Sequence, residues 1–178
     1  MRTTLHIALV AVALALSGAD AQAQQRTAHA EMRDAHGTVV GTVELTETPN
    51  YGVLLRIQLD GIEPGDHAFH IHQTGRCEAP SFDSAGGHYA PRGRMHGILH
   101  PHGKHAGDLP NVHVPASGEV HTERLAHEVT LLPGATGSLF DDDGSAIVVH
   151  AGADDYESQP AGDGGPKVAC GVIRTGSD

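Results

Sequence analysis

The period and length of the apolar segments constrain this chain more than any other feature. Val53-Leu-Leu-Arg-Ile-Gln-Leu59 alternates apolar and polar residues after Leu54. That is the period of a strand with one buried face. Similar short runs lie at Ala28–Arg33, Val39–Thr46, Ala68–His72, Val120–Leu125, His127–Leu132 and Ala146–His150. Turn-forming stretches, Asp34-Ala-His-Gly37 and Thr48-Pro-Asn-Tyr-Gly52, separate the first three and suit an antiparallel meander. Beyond the N-terminal segment no long apolar stripe with helical period occurs. The expected fold is all-β, a sandwich or barrel in one domain. With no Trp and 3% aromatic residues, its core must be aliphatic.

The N-terminal segment reads differently. Arg2 precedes an unbroken apolar run, Ile7–Leu16, which leads to Ala19-Asp-Ala21 and Ala21-Gln-Ala23. A charge, a short apolar core and small-residue cleavage sites are the order of a secretory signal. The run is too short to span a bilayer. The expectation is a cleaved signal over residues 1–23 and a domain over residues 24–178, with no membrane association after cleavage. The formal net charge of −11 gives the chain no general attraction for nucleic acid or anionic membranes.

Export bears on the only two cysteines, Cys77 and Cys170. An even count in an oxidising compartment suggests one disulfide. It would close a loop of roughly 90 residues, worth about 4–5 kcal/mol in the chain-entropy account. Two buried thiols or two metal ligands are the alternatives, although the pair lacks the Cys-x-x-Cys spacing of a zinc site.

The 15 histidines are the chemical signal. Eight fall between His67 and His105, most of them in a Gly-, Pro- and His-rich stretch from Gln73 to about Pro115 that reads as a long loop. A second loop, rich in Gly and Asp, covers Ala151–Pro166. Loops this long in a compact domain are usually functional or disordered. His70-Ile-His72 would place two imidazoles on one face of a strand. His88, His96, His105 and Asp108 follow, and His150 ends the apolar run Ala146–His150. Imidazoles suit copper, zinc, iron and nickel, and imidazoles with a carboxylate suit zinc. Spacing alone leaves an ordered site and an unstructured metal-binding stretch equally open.

Several motifs together are more specific. Gly65-Asp-His-Ala-Phe-His-Ile-His72 with Gly75-Arg-Cys77, Ser84-Ala-Gly-Gly-His88, Met95-His-Gly97, His105-Ala-Gly-Asp108, Val148-Val-His150 and Ala169-Cys-Gly-Val-Ile173 resemble, in order, the signatures of the copper,zinc superoxide dismutases. The resemblance covers about Thr27 to Ile173. The leader and the long metal loop are similar to the bacterial periplasmic branch.

This resemblance implies a Greek-key antiparallel β-sandwich or flattened barrel of about eight strands with two long functional loops. It implies one copper and one zinc ion per subunit and superoxide as substrate. His70, His72 and His150 match the copper ligands, and His88 matches the residue bridging copper and zinc and donating a proton. His96, His105 and Asp108 complete the zinc set. Asp154 matches a carboxylate linking the two ligand sets, and Cys77–Cys170 matches the family disulfide. His67 is expected to brace the loops without binding metal. Lys167 stands where the family usually carries an arginine beside the copper, keeping the charge but losing the planar two-pronged donor. Reduced but retained activity is expected from that change. His100, His102 and His113 match no family role. The alternative is a non-catalytic periplasmic copper- or zinc-binding relative. Homodimer and monomer both occur in the branch, and no interface pattern decides between them.

Overall fold

The structure, a computed structural model, describes residues 25–176; the expected signal over residues 1–23 lies outside them. The described chain forms ten strands: β1 (Thr27–Asp34), β2 (Val39–Thr48), β3 (Gly52–Leu59), β4 (Gly65–His67), β5 (Phe69–His72), β6 (Val112–Val114), β7 (Val120–Ala126), β8 (Ala146–His150), β9 (Lys167–Val172) and β10 (Arg174–Thr175). One helical element is described, a 3-10 turn over Asp83–Ala85. All strand pairings are antiparallel. The main sheet runs β5-β8-β9-β1-β2-β3-β7, with β10 added to β1 and a separate β4-β6 pair. The chain leaves β3, crosses to the far edge as β5, returns to β3 as β7 and crosses again to β8. These crossings give the expected Greek-key, all-β architecture.

Alternation builds the core. In β3, Val53, Leu55, Ile57 and Leu59 are buried, and Ala28, Ala30 and Met32 face them from β1. β2 needs an irregularity, because Val40 and Val43 are both buried yet three residues apart. Met32 pairs with Gly41 and Arg33 with Val39, so Val40 is the extra residue of a bulge that resets the phase. Gly41 makes the bulge feasible: its φ is +146°, and a Cβ there would lie 2.1 Å from the Gln58 carbonyl oxygen.

β8 is buried on both faces. Ile147 and Val149 join the main core. Ala146 and Val148 pack instead with Phe82, Ala85 and Cys170 in a second, smaller cluster. That cluster seats the start of the long loop on the outside of the sheet. The Cys77–Cys170 disulfide, with a Cα–Cα distance of 5.6 Å, fixes the same loop to β9.

β5 is an edge strand, paired with β8 on one side only. Its other side is covered by the His-rich loop. The Ile71 amide donates to the Gly107 carbonyl (3.0 Å), the Tyr89 amide to the Ile71 carbonyl (2.8 Å) and the Gln73 amide to the Gly87 carbonyl (2.9 Å).

The expected strand Ala68–His72 is β5, shorter by one residue: Ala68 is the break between β4 and β5, its amide donating to Gly152 and its carbonyl accepting from His150. Other expectations are corrected. His127–Leu132 is not a strand. The Glu47 carboxylate accepts the Leu131 amide and the Thr130 hydroxyl, replacing a neighbouring strand with a side chain. Val129 and Leu131 still enter the core from this turn-rich segment. The loop expected from Gln73 to about Pro115 contains β6, and β9 had no expected strand at all.

Candidate metal centre

The site begins with the alternation of β5. Phe69 and Ile71 point into the main core, so His70 and His72 share the opposite face. His150 comes from the end of neighbouring β8, and His88 arrives on the loop, where His72 and His88 form an isolated bridge. These four buried histidines each offer a ligand atom, all within 4.8 Å of one another. A second group meets the same limit: His88, His96, His105 and Asp108. His88 belongs to both.

Hydrogen bonds show which nitrogen of each ring is left free. His70 Nε2–H donates to Asp154 Oδ2 (2.8 Å), leaving Nδ1 without a partner. His72 Nδ1–H donates to the Gly86 carbonyl (2.9 Å) and His150 Nδ1–H to the Gly165 carbonyl (3.0 Å). Their Nε2 atoms therefore face each other, lone pair to lone pair, at 3.4 Å. His88 Nε2 is also buried and unpartnered. Four imidazole lone pairs thus converge where nothing in the chain can donate to them.

The second group is arranged around a carboxylate. Asp108 Oδ2 accepts the amides of Gly97 and His105, each at 2.9 Å. Its Oδ1 lies 2.8 Å from His88 Nδ1, 3.1 Å from His96 Nδ1 and 3.3 Å from His105 Nδ1. The last two nitrogens make no hydrogen bond and are buried. Buried polar atoms left unpaired are costly and rare. A cation in each group would satisfy them all, so the residues fit metal ions at both places. Three imidazoles and one carboxylate make a zinc-type set, and four imidazoles suit copper.

Electrostatics agree. Burial lowers the His70 and His150 pKa values to about 4 and that of His72 well below its ordinary value. Burial also lowers His88. These rings are neutral at pH 7, with lone pairs available. For Asp108, burial alone would raise the pKa, but the close His105 imidazole, the His88 bond and the Gly97 amide outweigh it and hold the carboxyl below its usual range.

Asp154 ties the groups together. Its Oδ2 accepts from His70 of the first group and its Oδ1 from His96 Nε2 of the second, at 3.1 Å. Gly162 makes room for this: its φ is +76°, and a Cβ would sit 1.9 Å from Asp154 Oδ1.

A single match decides the family. The sequence model of the copper/zinc superoxide dismutases (SODC) matches residues 39–173. The chain belongs to that family. Superoxide dismutase [Cu-Zn] 2 of Aquifex aeolicus is 48% identical over 152 residues, covering 85% of this chain and 88% of that one. Superoxide dismutase [Cu-Zn] of Caulobacter vibrioides is 44% identical over 151 residues, covering 83% and 86%. The crystal structure of a SOD-like protein from Bacillus subtilis superposes with a TM-score of 0.79 at 37% identity, covering 81% and 96%.

Against the dismutase resemblance, the structure brings His70, His72, His88 and His150 together, and His88, His96, His105 and Asp108 likewise. Asp154 lies between them and Cys77 is bonded to Cys170. His67 sits between the carbonyls of His150 (2.7 Å) and Glu63 (2.8 Å). Lys167 lines the cavity beside the first group, about 460 Å³ in volume, together with His72, His88 and His150. His113 is exposed and pairs with Asp66 at 2.8 Å. His100 Nδ1 accepts the amide of His102 at 3.1 Å.

Sequence reasoning passed over three contributors. Asn111 binds the backbone of Asp154, Gln159 binds the backbone of His96, and Asp83 contacts Lys167. Their partners are remote in sequence. Only the position of Asn111, three residues after Asp108, hinted at a role beside the metal loop.

Proposed function

We propose that this chain is an exported, periplasmic superoxide dismutase that converts two superoxide anions and two protons into dioxygen and hydrogen peroxide. The observation that carries this reading is the shared ring of His88, one nitrogen facing each group of ligands. His70, His72, His88 and His150 would hold copper. His88, His96, His105 and Asp108 would hold zinc. Copper, when bound, supplies the Cu(II)/Cu(I) couple that takes an electron from one superoxide and gives it to the next.

The protein's own residues do the rest. The carbonyls of Gly86 and Gly165 and the carboxylate of Asp154 fix the orientation of three imidazoles. His88 Nε2 is the atom at which a proton is held and passed to the product. Lys167 contributes positive potential in the cavity against the background of −11. Its ammonium is a point charge, where a guanidinium would offer two parallel bonds.

Export rests on the N-terminal pattern, Arg2, Ile7–Leu16 and Ala21-Gln-Ala23, with residues 24–178 as the mature domain. The disulfide supports an oxidising compartment. No helix among the described residues is long and apolar enough to cross a membrane.

The test is superoxide decay with the metal-loaded chain, its metal-free form and His150→Ala. A fast rate that needs copper and is lost in His150→Ala while zinc stays bound is expected. Binding of both metals without catalysis would overturn the enzyme reading in favour of metal storage or delivery. Full activity of His150→Ala would overturn the copper assignment.

A further inference from the structure

Among the residues lining the cavity beside the first metal group, Lys167 is the only lysine or arginine, and Asp83 is the only carboxylate. They touch: Lys167 Nζ lies 3.4 Å from Asp83 Oδ1. Their positions are unequal. The Lys167 side chain is 16% exposed and that of Asp83 is 83% exposed, so the negative partner stands outermost. It is also anchored. The Ser81 hydroxyl donates to Asp83 Oδ2 at 2.8 Å, and the residue begins the 3-10 turn that packs through Ala85 on the second core cluster.

We propose that Asp83 restrains anion capture: it cancels part of the Lys167 charge, so the pair and not the lysine alone sets how fast superoxide enters. The proposal rests on the role of Lys167 in the preceding section. A lone ammonium acts as a monopole, felt over a Debye length of about 8 Å at physiological ionic strength. An ammonium with a carboxylate beside it acts as a dipole, whose field falls off faster with distance. The orientation is unfavourable too, because an arriving anion meets the exposed carboxylate before the recessed ammonium. The bond from Ser81, followed by the bond and charge of Lys167, keeps the Asp83 carboxyl below its usual pKa range. The restraint is therefore permanent at neutral pH. Its second effect is positional: the 3.4 Å contact holds the flexible lysine stem at the cavity wall.

Asp83→Asn separates charge from position, since the amide keeps the size and can still accept from Ser81. In the metal-loaded full chain, kcat/KM for superoxide should rise about two- to threefold at low ionic strength, an effect of one steering charge. The increase should shrink with added salt and vanish near 1 M, where the Debye length is about 3 Å. Inorganic phosphate, titrated into the metal-free chain and followed by the amide shifts of Lys167 and Gly165, should bind more tightly in the variant. An unchanged or lower rate, an increase that ignores salt, or unchanged phosphate binding would overturn the proposal. Lys167→Met locates a failure. If it slows the enzyme while Asp83→Asn changes nothing, only the restraint is wrong. If it changes neither rate nor salt dependence, the role of Lys167 falls and the restraint with it.

Discussion

The side-chain amide of Asn111 grips the backbone of Asp154 from both sides, donating to its carbonyl and accepting from its amide, each at 2.9 Å. Asn111 is itself held, its own carbonyl accepting from Arg124 on β7 and its amide donating to the Tyr156 hydroxyl, both at 2.8 Å. The carboxylate between the two ligand groups is thus positioned from the sheet. Asn111→Ala should leave the fold intact but weaken zinc binding by about ten- to a hundredfold, the usual scale for a lost supporting contact. Zinc titration against a competing chelator measures this. Undiminished affinity would show that Asp154 needs no clamp.

Gly162 makes a sharper case. Its φ is left-handed, and a methyl carbon placed on its Cα would come within 1.9 Å of Asp154 Oδ1, so alanine has no space. Gly162→Ala should displace the carboxylate and cost at least the strain of about 1–2 kcal/mol carried by a side chain in that conformation. Thermal unfolding of the metal-free and zinc-loaded forms should show the larger loss with zinc. Equal losses would place the damage outside the metal centre.

Acid should destabilise the metal-free chain. The His70 and His150 pKa values are lowered by burial to about 4, below their ordinary 6.5. Between those values the unfolded chain binds more protons than the folded one, so stability falls as pH falls. The contribution is complete above about pH 6.5 and is lost by about pH 4. For Asp154, burial would raise the pKa, but bonds from His70 and the Tyr156 amide override it and lower the value, which acts in the same direction at lower pH. Denaturant midpoints for the metal-free chain should drop steadily from pH 7 to pH 4, and a flat profile would refute the linkage.

Reducing the disulfide should loosen the site more than the sheet. The bridge joins Cys77 in the loop to Cys170 in β9. Cys77→Ser with Cys170→Ser should cost about 2–5 kcal/mol. Hydrogen exchange should accelerate first at Thr74 and Gly86, whose amides donate within or onto the tethered segment. Equal acceleration in β2 and β3 would show that the bridge stabilises the whole domain uniformly.

Much of this was legible in the residues. Val53–Leu59 announced its strand because each buried residue follows a polar or half-exposed one. His70-Ile-His72 announced shared ligands for the same reason. The failures have physical causes. In β9, Lys167–Val172, small residues and two-sided neighbours erase the alternation. His127–Leu132 carries an apolar pattern, but the Glu47 carboxylate supplies the backbone partner that a strand would have given. Gln159, exposed and in a loop, carried no signal, yet its amide accepts from His96 N–H (3.0 Å) and donates to the His96 carbonyl (2.8 Å). Contacts between loops depend on where the sheet delivers them, and no local pattern encodes that.

The loop that carries His88, His105 and Asp108 also lies along the open side of β5. An uncovered edge strand is a template on which other chains can add. The loop proposed to hold metal therefore also shields that edge through its backbone. A shortage of copper and zinc would cost more than activity, because the metal-free chain would carry an edge with a looser cover. Metal supply and resistance to aggregation are joined through the backbone of one strand.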